Sequence, residues 1–294
     1  MAVAPKSPNR HLRWARADRL RIPASWRLSA LMIRILSAAV LMAVVLGLFF
    51  LGRLGIWALV VLVGGLGLWE FRRLSDRLGY RSPSWLIFPL GFFFAFSQTA
   101  LKQVDVELVL SLALVVGLGA FLFLPGRRQG LGRWAMGLAG AIYIGMPFNF
   151  YLLLYSHAQG LEWIFLVIFA VVMSDVGALL VGMRLGRHPF FPEISPRKTL
   201  EGAIGGVLMA TLIMVLGGFG VLNLPLWHSA ALGVLIGVSA EAGDLVESQM
   251  KRLAGVKDSS NLIPGHGGVL DRIDSLLFPP ILVYLYVLGF HLLR

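Results

Sequence analysis

The chain has 294 residues, of which 57% are hydrophobic and 14% are charged, and it contains no cysteine. Its mean hydropathy of +0.80 lies far above that of soluble domains and indicates a membrane protein. Without cysteine, neither a disulfide framework nor a thiolate metal site is available. A net charge of +11 would suggest nucleic-acid binding in a soluble protein. In so apolar a chain it indicates basic loops facing anionic lipid, so we expect a lipid bilayer and no nucleic acid as partner.

The first 34 residues carry eight Lys or Arg against one acid, Asp18. Arg13, Arg16 and Arg19 recur every third residue, as in a short helix lying on anionic headgroups. A basic tail that only sets membrane topology is the simpler alternative, and we favour it. We assign residues 1–33 to a cytoplasmic N-terminal tail and residues 34–294 to a single transmembrane domain.

Apolar runs between charged or Gly/Pro breaks predict nine transmembrane helices of about 20 residues each, the length that a bilayer requires. Only Arg53 separates the first two runs, which could instead form a tight hairpin or one broken element. We therefore predict an all-α, polytopic integral membrane protein. The predicted spans are 35–52, 54–70, 84–101, 106–124, 134–155, 161–183, 202–222, 228–248 and 273–293.

The distribution of positive charge predicts the orientation of these spans. With nine spans and the N-terminus inside, every Lys and Arg except Arg53, Lys102 and Arg294 lies on the cytoplasmic side. That asymmetry is what the positive-inside rule requires. We predict a multi-pass protein of the cell inner (plasma) membrane with a cytoplasmic N-terminus.

Acidic residues concentrate in one part of the chain, where nine of the fifteen lie within residues 175–274. Glu241, Asp244, Glu247 and Ser248 recur at spacings of three and four, which places them on one stripe of a helix. An ionised carboxylate at mid-membrane costs about 2.5–3.5 kcal/mol, so such residues usually face the protein interior. The alternative is that they lie near the cytoplasmic end of the eighth span and reach water.

Asp271 and Asp274 open the ninth span one helical turn apart. Carboxylate oxygens suit a hard divalent cation, and Mg²⁺ typically takes one or two carboxylates together with substrate phosphates. Asp244 and Asp271 fit that arrangement. Alternatively, Asp271 or Asp274 caps the helix or pairs with Arg272, and spacing alone leaves both interpretations open.

The loop before the ninth span combines basic residues with glycines. Glycines allow close backbone approach, and their N–H groups can cradle phosphate oxygens, so the loop is a candidate site for a triphosphate. A basic cytoplasmic loop is also ordinary membrane topology. For His266 we expect a binding or orienting role rather than proton transfer. The residues concerned are Lys251, Arg252, Lys257, Gly265, Gly267, Gly268 and Arg272.

A second loop, Ser195–Gly202, precedes the seventh span and carries Arg197, Lys198 and Thr199. Two bases followed by a hydroxyl at a helix start form a plausible anion site, because the helix dipole attracts negative charge. Thr199 is equally a candidate N-cap, and Glu201 a favourable first-turn acid. Both roles are compatible with anion binding.

The run from Ser248 through Lys251-Arg252, Lys257-Asp258 and His266-Gly-Gly to Asp271-Arg-Ile-Asp274 resembles the signature of the phosphatidate cytidylyltransferases (CDP-diacylglycerol synthases). Further segments are similar to other motifs of that family, and the resemblance covers most of residues 34–293. These segments are Arg34–Ala38, Trp69–Phe71, Ser195–Gly202 and Glu241–Ser248.

The resemblance implies a nine-span homodimeric enzyme that condenses CTP with phosphatidic acid at the cytoplasmic face. It would give CDP-diacylglycerol and pyrophosphate in phospholipid biosynthesis, with the lipid phosphate as nucleophile. Asp244 and Asp271 would hold Mg²⁺, with K⁺ nearby. Catalysis would fall to Asp244, Lys251, Asp271 and Asp274. Substrate binding would fall to Arg197, Lys198, Thr199, Glu201, Ser248, Arg252, Lys257, Asp258, His266, Gly267, Gly268 and Arg272.

Two positions depart from the family pattern. Leu179 stands where an aromatic residue is common, which leaves the role of Asp175 open, and Arg197 stands where a lysine is frequent. A cytidylyltransferase for another lipid phosphate is an alternative. So is a secondary transporter, since intramembrane carboxylates also mark ion pathways. The gathering of acids, bases and glycines at one membrane face favours the enzyme.

Overall fold

The computed structural model describes residues 24–123 and 129–293, which fold almost entirely as helices. Within these ranges no β-strand forms, and only two isolated bridges occur, Pro189 with Thr199 and Ile263 with Gly267. The all-α prediction is confirmed. The helices are α1 (Ala24–Phe50), α2 (Gly52–Arg77), α3 (Ser84–Phe96), α4 (Val106–Phe123), α5 (Gly130–Tyr155), α6 (Gly160–Leu185), α7 (Leu200–Gly220), α8 (Leu226–Leu253), α9 (Leu270–Ile273) and α10 (Pro279–Gly289).

Nine apolar helical stretches correspond to the nine predicted spans, but they differ in length. Among the described residues, six are long and apolar enough to cross a bilayer, the last being Leu270–Gly289. The other three apolar stretches are Ser84–Phe96, Val106–Ala120 and Ile35–Phe50, the last being part of the longer helix α1. The polytopic membrane architecture is thus confirmed, while six stretches rather than nine reach full spanning length in the described ranges.

The first two spans form a tight hairpin, one of the two alternatives predicted for them. The break falls at Leu51, and Gly52 reverses the chain with φ +61°, a conformation that glycine adopts without steric cost. A Cβ at Gly55 would lie 1.7 Å from the Leu48 carbonyl oxygen, so the two helices approach closely beside the turn. The far ends of α1 and α2 therefore return to the same side of the protein.

The last predicted span, 273–293, is not continuous. Helix α9 ends at Ile273, a 3₁₀ turn covers Asp274–Leu276, and α10 begins at Pro279. Pro279 and Pro280 occupy the first turn of α10, where the missing N–H leaves no hydrogen bond unmade. Asp271 and Asp274 consequently lie on two short consecutive elements, α9 and the 3₁₀ turn, and not on helix α10.

Close helix packing brings α8 against its neighbours. The closest pairs are α6 with α7, α7 with α8, and α3 with α5. Small residues permit this: a Cβ at Gly233 of α8 would lie 2.4 Å from the Thr211 Cα of α7, which is typical of membrane helix interfaces. One buried cluster joins α5, α6, α7, α8 and α10, and a second joins α2, α3, α5 and α9.

Candidate active site between α2, α7, α8 and α9

Lys251 on α8 is buried and lies between two carboxylates. Its Nζ forms an ion pair with Glu247, one helical turn earlier, and lies 2.6 Å from Asp271 Oδ1. Glu247 is 0% exposed, and Lys251 is the one cation that pairs with it among the described residues. Lys251 is therefore the charge that neutralises Glu247. The alternative in which Glu247 reaches water is wrong.

Lys198, two residues before α7, forms the second lysine–carboxylate group. Its Nζ lies 2.6 Å from Glu241 Oε2 and 2.7 Å from Asp244 Oδ2. Burial alone would lower the pKa of Lys198, but the charges of Asp244 and Glu241 outweigh it and raise the pKa above its usual value. Ser248 Oγ donates to Asp244 Oδ1 at 3.1 Å. The polar stripe predicted on α8 is thus present, and it faces α7 and α9.

Asp271 is held mainly by the loop that precedes α9. Its Oδ2 accepts hydrogen bonds of 2.8 Å from Ser259 N, Ser259 Oγ and Gly268 N, while its Oδ1 faces Lys251. The loop can pass this closely only with glycine at 268, because a Cβ there would lie 2.1 Å from Ser259 Oγ. One oxygen of Asp271 is therefore committed to the loop, and the other is turned towards the lysine.

Glu70 on α2 is a site residue to which the sequence analysis assigned no role. It is 0% exposed. Its Oε1 accepts from Ser260 Oγ at 2.6 Å and Val269 N at 2.9 Å, and its Oε2 from Leu270 N at 2.5 Å and Ser259 Oγ at 3.0 Å. Glu70 thus caps the start of α9 from another helix. The available signals were the position of one acid near the end of an apolar helix and its place in Trp69–Phe71, a segment similar to a family motif.

Asp274 and Asp175 meet through a serine. Asp274 is buried, and its Oδ1 accepts from Ser275 N at 2.7 Å. Ser275 Oγ donates to Asp175 Oδ2 on α6 at 3.3 Å. Asp244 and Lys251 are near enough to act on the charge of Asp274. Asp175 therefore lies at the margin of the same acidic group.

The glycine turn of the loop contacts α1. His266 Nδ1 lies 2.9 Å from Ser37 Oγ, which also donates to the Pro264 carbonyl at 3.1 Å. Gly265 and Gly267 have φ of +75° and +85°, so the turn requires glycine at both positions. His266 is thus engaged with the first helix, and its predicted role in phosphate binding stays a prediction.

Three predicted binding residues make contacts that brace the structure. Thr199 caps α7, its Oγ1 accepting from Gly202 N at 3.2 Å. Glu201 accepts from Arg187 N at 3.1 Å and from His188 N at 3.2 Å. Arg252 donates to two backbone carbonyls, at 3.1 and 3.2 Å. These contacts explain the local folding and leave the predicted substrate-binding roles open.

Four further predicted residues are exposed around the site: Arg197, Lys257, Asp258 and Arg272. Within residues 24–123 and 129–293, Lys257 and Arg272 have no ion-pair partner. Their charges are therefore available to an anion that approaches from solvent.

The donor set limits what metal chemistry the site can offer. No group of three or more His, Cys, Asp or Glu suited to a metal ion occurs in the described part of the chain. Asp244 and Asp271 are each paired with a different lysine. Two carboxylates fit Mg²⁺ when substrate phosphates complete its shell, but they do not form an all-protein cage.

An apolar groove of about 430 Å³ lies between α7 and α8 beside the Lys198 group. Glu241, the partner of Lys198, stands at its edge, and every other lining residue is apolar. The aromatic pair Phe190 and Phe191 closes one side. A groove with one polar end and apolar walls suits an amphipathic ligand.

Known proteins of similar sequence match the part of the chain that carries these residues. Residues 32–290 match the model of the cytidylyltransferase family. A phosphatidate cytidylyltransferase of Bacillus subtilis is 33% identical over 260 residues, covering 87% of this chain and 96% of that protein. Another, from Staphylococcus saprophyticus, is 35% identical over 175 residues, covering 59% of this chain and 66% of that protein. One from Mycobacterium tuberculosis is 39% identical over 137 residues, covering 47% of this chain and 42% of that protein. This membrane-spanning chain belongs to the cytidylyltransferase family.

Proposed function

We propose that this chain is a phosphatidate cytidylyltransferase, which condenses CTP with phosphatidic acid to give CDP-diacylglycerol and pyrophosphate in phospholipid biosynthesis. The observation that carries the proposal is the 33% identity to the Bacillus protein of that name across 96% of its length. The two lysine–carboxylate groups lie within the matched region. They supply the charges that a reaction between two phosphates needs.

The proposed reaction needs no nucleophilic side chain. An oxygen of the lipid phosphate attacks the α-phosphorus of CTP and forms the new P–O bond. The bond from the α-phosphorus to the oxygen that bridges to the β-phosphate breaks, and pyrophosphate leaves with the electron pair. Catalysis then rests on positioning and on stabilising negative charge. Lys198 and Lys251 would contact the phosphates, with Arg252, Lys257 and Arg272 receiving the triphosphate from solvent.

Asp244 and Asp271 would hold Mg²⁺, with K⁺ as a further ion near them. Both aspartates have lone pairs beyond those directed at the lysines, since Asp271 Oδ1 and Asp244 Oδ2 each accept from one Nζ. Bound there, Mg²⁺ would offset charge on the phosphate oxygens. Asp274 and Asp258 would position these groups. The remaining predicted binding residues would shape the site around the substrates. They are Arg197, Thr199, Glu201, Ser248, His266, Gly267 and Gly268.

The groove beside Lys198 supports a lipid acceptor. The headgroup phosphate would lie at Lys198, and an acyl chain would follow the apolar walls between α7 and α8. Bacterial relatives and the excess of positive charge in the predicted cytoplasmic loops support an inner-membrane protein with a cytoplasmic N-terminus and site. A homodimer is proposed on the family resemblance.

The decisive experiment measures pyrophosphate and lipid-extractable cytidine made by the purified protein in detergent. We expect product only with CTP, Mg²⁺ and phosphatidic acid together. Asp244→Asn and Asp271→Asn should each lose about 100-fold or more in turnover. Asp105→Asn, an exposed acid before α4, should retain it. If CTP binds but phosphatidic acid gives no product, the acceptor is another lipid phosphate. If CTP does not bind, the proposed function is wrong.

A further inference from the structure

Glu70 lies some 200 residues away from the groups it contacts, on a helix that carries no other site residue. Its carboxylate accepts from the hydroxyls of Ser259 and Ser260 and from the backbone N–H groups of Val269 and Leu270. Two of these donors are backbone groups at the start of α9, which have no partner inside that helix. Glu70 therefore fixes the place and direction of α9 relative to α2.

Ser259 links Glu70 to Asp271. Its hydroxyl lies 3.0 Å from Glu70 Oε2 and 2.8 Å from Asp271 Oδ2, and its N–H donates to the same Asp271 oxygen at 2.8 Å. A hydroxyl has one proton to donate, so the two carboxylates share it. A change at Glu70 will therefore alter a donor that Asp271 also uses.

The contacts of Asp271 are asymmetric. Three donor atoms of the loop contact its Oδ2, whereas Oδ1 meets only Lys251 among the described residues. The rotation of the carboxylate is thus set by Ser259 and Gly268, and both lie against Glu70. A Cβ at Gly268 would come within 2.5 Å of Glu70 Oε1. The loop, α9 and Glu70 form one closely fitted unit.

We propose that Glu70 is a positioning residue, which holds the loop and the start of α9 so that Asp271 keeps Oδ1 directed at Lys251 and at the side where the substrates would bind. The inference rests on the proposed function in assigning Asp271 to catalysis. Glu70 is too deeply buried, behind Ser259 and Gly268, to contact substrate itself. Replacing a residue that orients a functional side chain through hydrogen bonds typically lowers activity by about 10- to 100-fold.

Glu70→Gln is the main test, because it keeps side-chain size while replacing one acceptor oxygen by an NH₂ donor. That donor would face Val269 N–H or a serine hydroxyl, both of which already donate. We expect turnover to fall about 10- to 100-fold, with the KM for CTP changed much less. Ser75→Ala is the matched control, since Ser75 is another fully buried polar residue of α2 but bonds only to Tyr80 O and Ser82 Oγ. It should retain turnover.

The two serines separate positioning from mere stabilisation. Both hydroxyls bond to Glu70, but only that of Ser259 also contacts Asp271. Ser259→Ala should therefore lose more turnover than Ser260→Ala. Adding Glu70→Gln to Ser259→Ala should cost less than the two separate effects predict, because both act through the same carboxylate.

A second readout does not need enzyme activity. The chain has no cysteine, so Val269→Cys introduces a single thiol, at a position that is 8% exposed. Its reaction with a maleimide in detergent measures how often the loop opens. Glu70→Gln should speed this reaction at least severalfold, and Ser75→Ala should not.

The outcomes distinguish this inference from the proposed function. Lost turnover together with faster thiol reaction supports the positioning role. Full turnover in Glu70→Gln, or lost turnover with an unchanged thiol reaction, overturns it, as does an equal effect of the two serine variants. If the unaltered protein makes no CDP-diacylglycerol but Glu70→Gln still opens the loop, the proposed function fails while the hold of Glu70 on the loop stands.

Discussion

Replacing Lys251 by methionine tests how the buried charges of the site are balanced. Methionine keeps an unbranched apolar stem but removes the one cation that pairs with Glu247 among the described residues, and Glu247 is 0% exposed. Breaking a buried ion pair by removing one partner costs about 3–5 kcal/mol, because it leaves an uncompensated charge. We expect the free energy of unfolding of Lys251→Met to fall by that amount. The measurement is helix content by circular dichroism during titration of mixed micelles with SDS.

A second substitution distinguishes the effect of losing the Lys251–Glu247 ion pair from that of losing the Lys251–Asp271 ion pair. Glu247→Gln added to Lys251→Met leaves no unpaired charge at that position. Asp271 keeps its three loop donors and loses one charged hydrogen bond, worth roughly 2 kcal/mol. The double variant should therefore be more stable than Lys251→Met but still about 2 kcal/mol less stable than the unaltered protein. Arg184→Met, the same type of change at an exposed position of α6, should stay within about 0.5 kcal/mol of the unaltered protein. Equal stability of the single and double variants would show that Glu247 does not become an uncompensated charge when Lys251 is removed.

Contacts at the site also determine the expected effects of substitutions at Gly268, Thr199 and Glu241. Gly268→Ala should lower turnover and thermal stability, because its Cβ would lie 2.1 Å from a serine hydroxyl, whereas Gly289→Ala, with nothing within 4 Å, should change neither. Thr199→Ala should lose about 1 kcal/mol of unfolding free energy through its lost N-cap, and Thr199→Ser should keep most of it in the same titration. The raised pKa of Lys198 means that its ion pairs are intact below the ordinary value of 10.5 and are lost only as pH rises through the raised value. The stability difference between Glu241→Gln and the unaltered protein should thus stay constant from about pH 7 to pH 9, and a steady decline over that interval would contradict this.

Local patterns in the sequence predicted most of the fold and part of the site. Apolar run lengths located all nine helical stretches, and the spacing of Glu241, Asp244 and Glu247 placed them on one stripe, because helical geometry follows from neighbours in sequence. The pair Pro279-Pro280 indicates a break before α10, but the apolar run continues on both sides of it and therefore predicted one continuous span. Glu70 could not be connected to α9, because its partners lie about 200 residues further on.

The ion-pair partners of Lys198 and Lys251 could not be predicted from the sequence either. Lys251 has several acids nearby in sequence, whereas Lys198 has two, Glu193 and Glu201, and its partners lie more than 40 residues further on. Only tertiary packing decides which carboxylates the two lysines contact. The sequence therefore indicated phosphate-binding cations, whereas the fold shows each cation already engaged with two acids. Substrate binding at either lysine would exchange one set of negative oxygens for another.

The distance along the chain between Glu70 and its donors has a consequence for biogenesis. Ribosomes add about 5–20 residues per second, so the carboxylate of Glu70 is made roughly 10–40 seconds before Leu270, its partner 200 residues later. During that interval no donor from the loop exists to satisfy it, and an unpaired charge in lipid is costly. We therefore expect the α1–α2 hairpin to enter the bilayer with Glu70 still hydrated near the headgroups. Burial of that acid, and with it assembly of the site, waits for the last part of the described chain to be inserted.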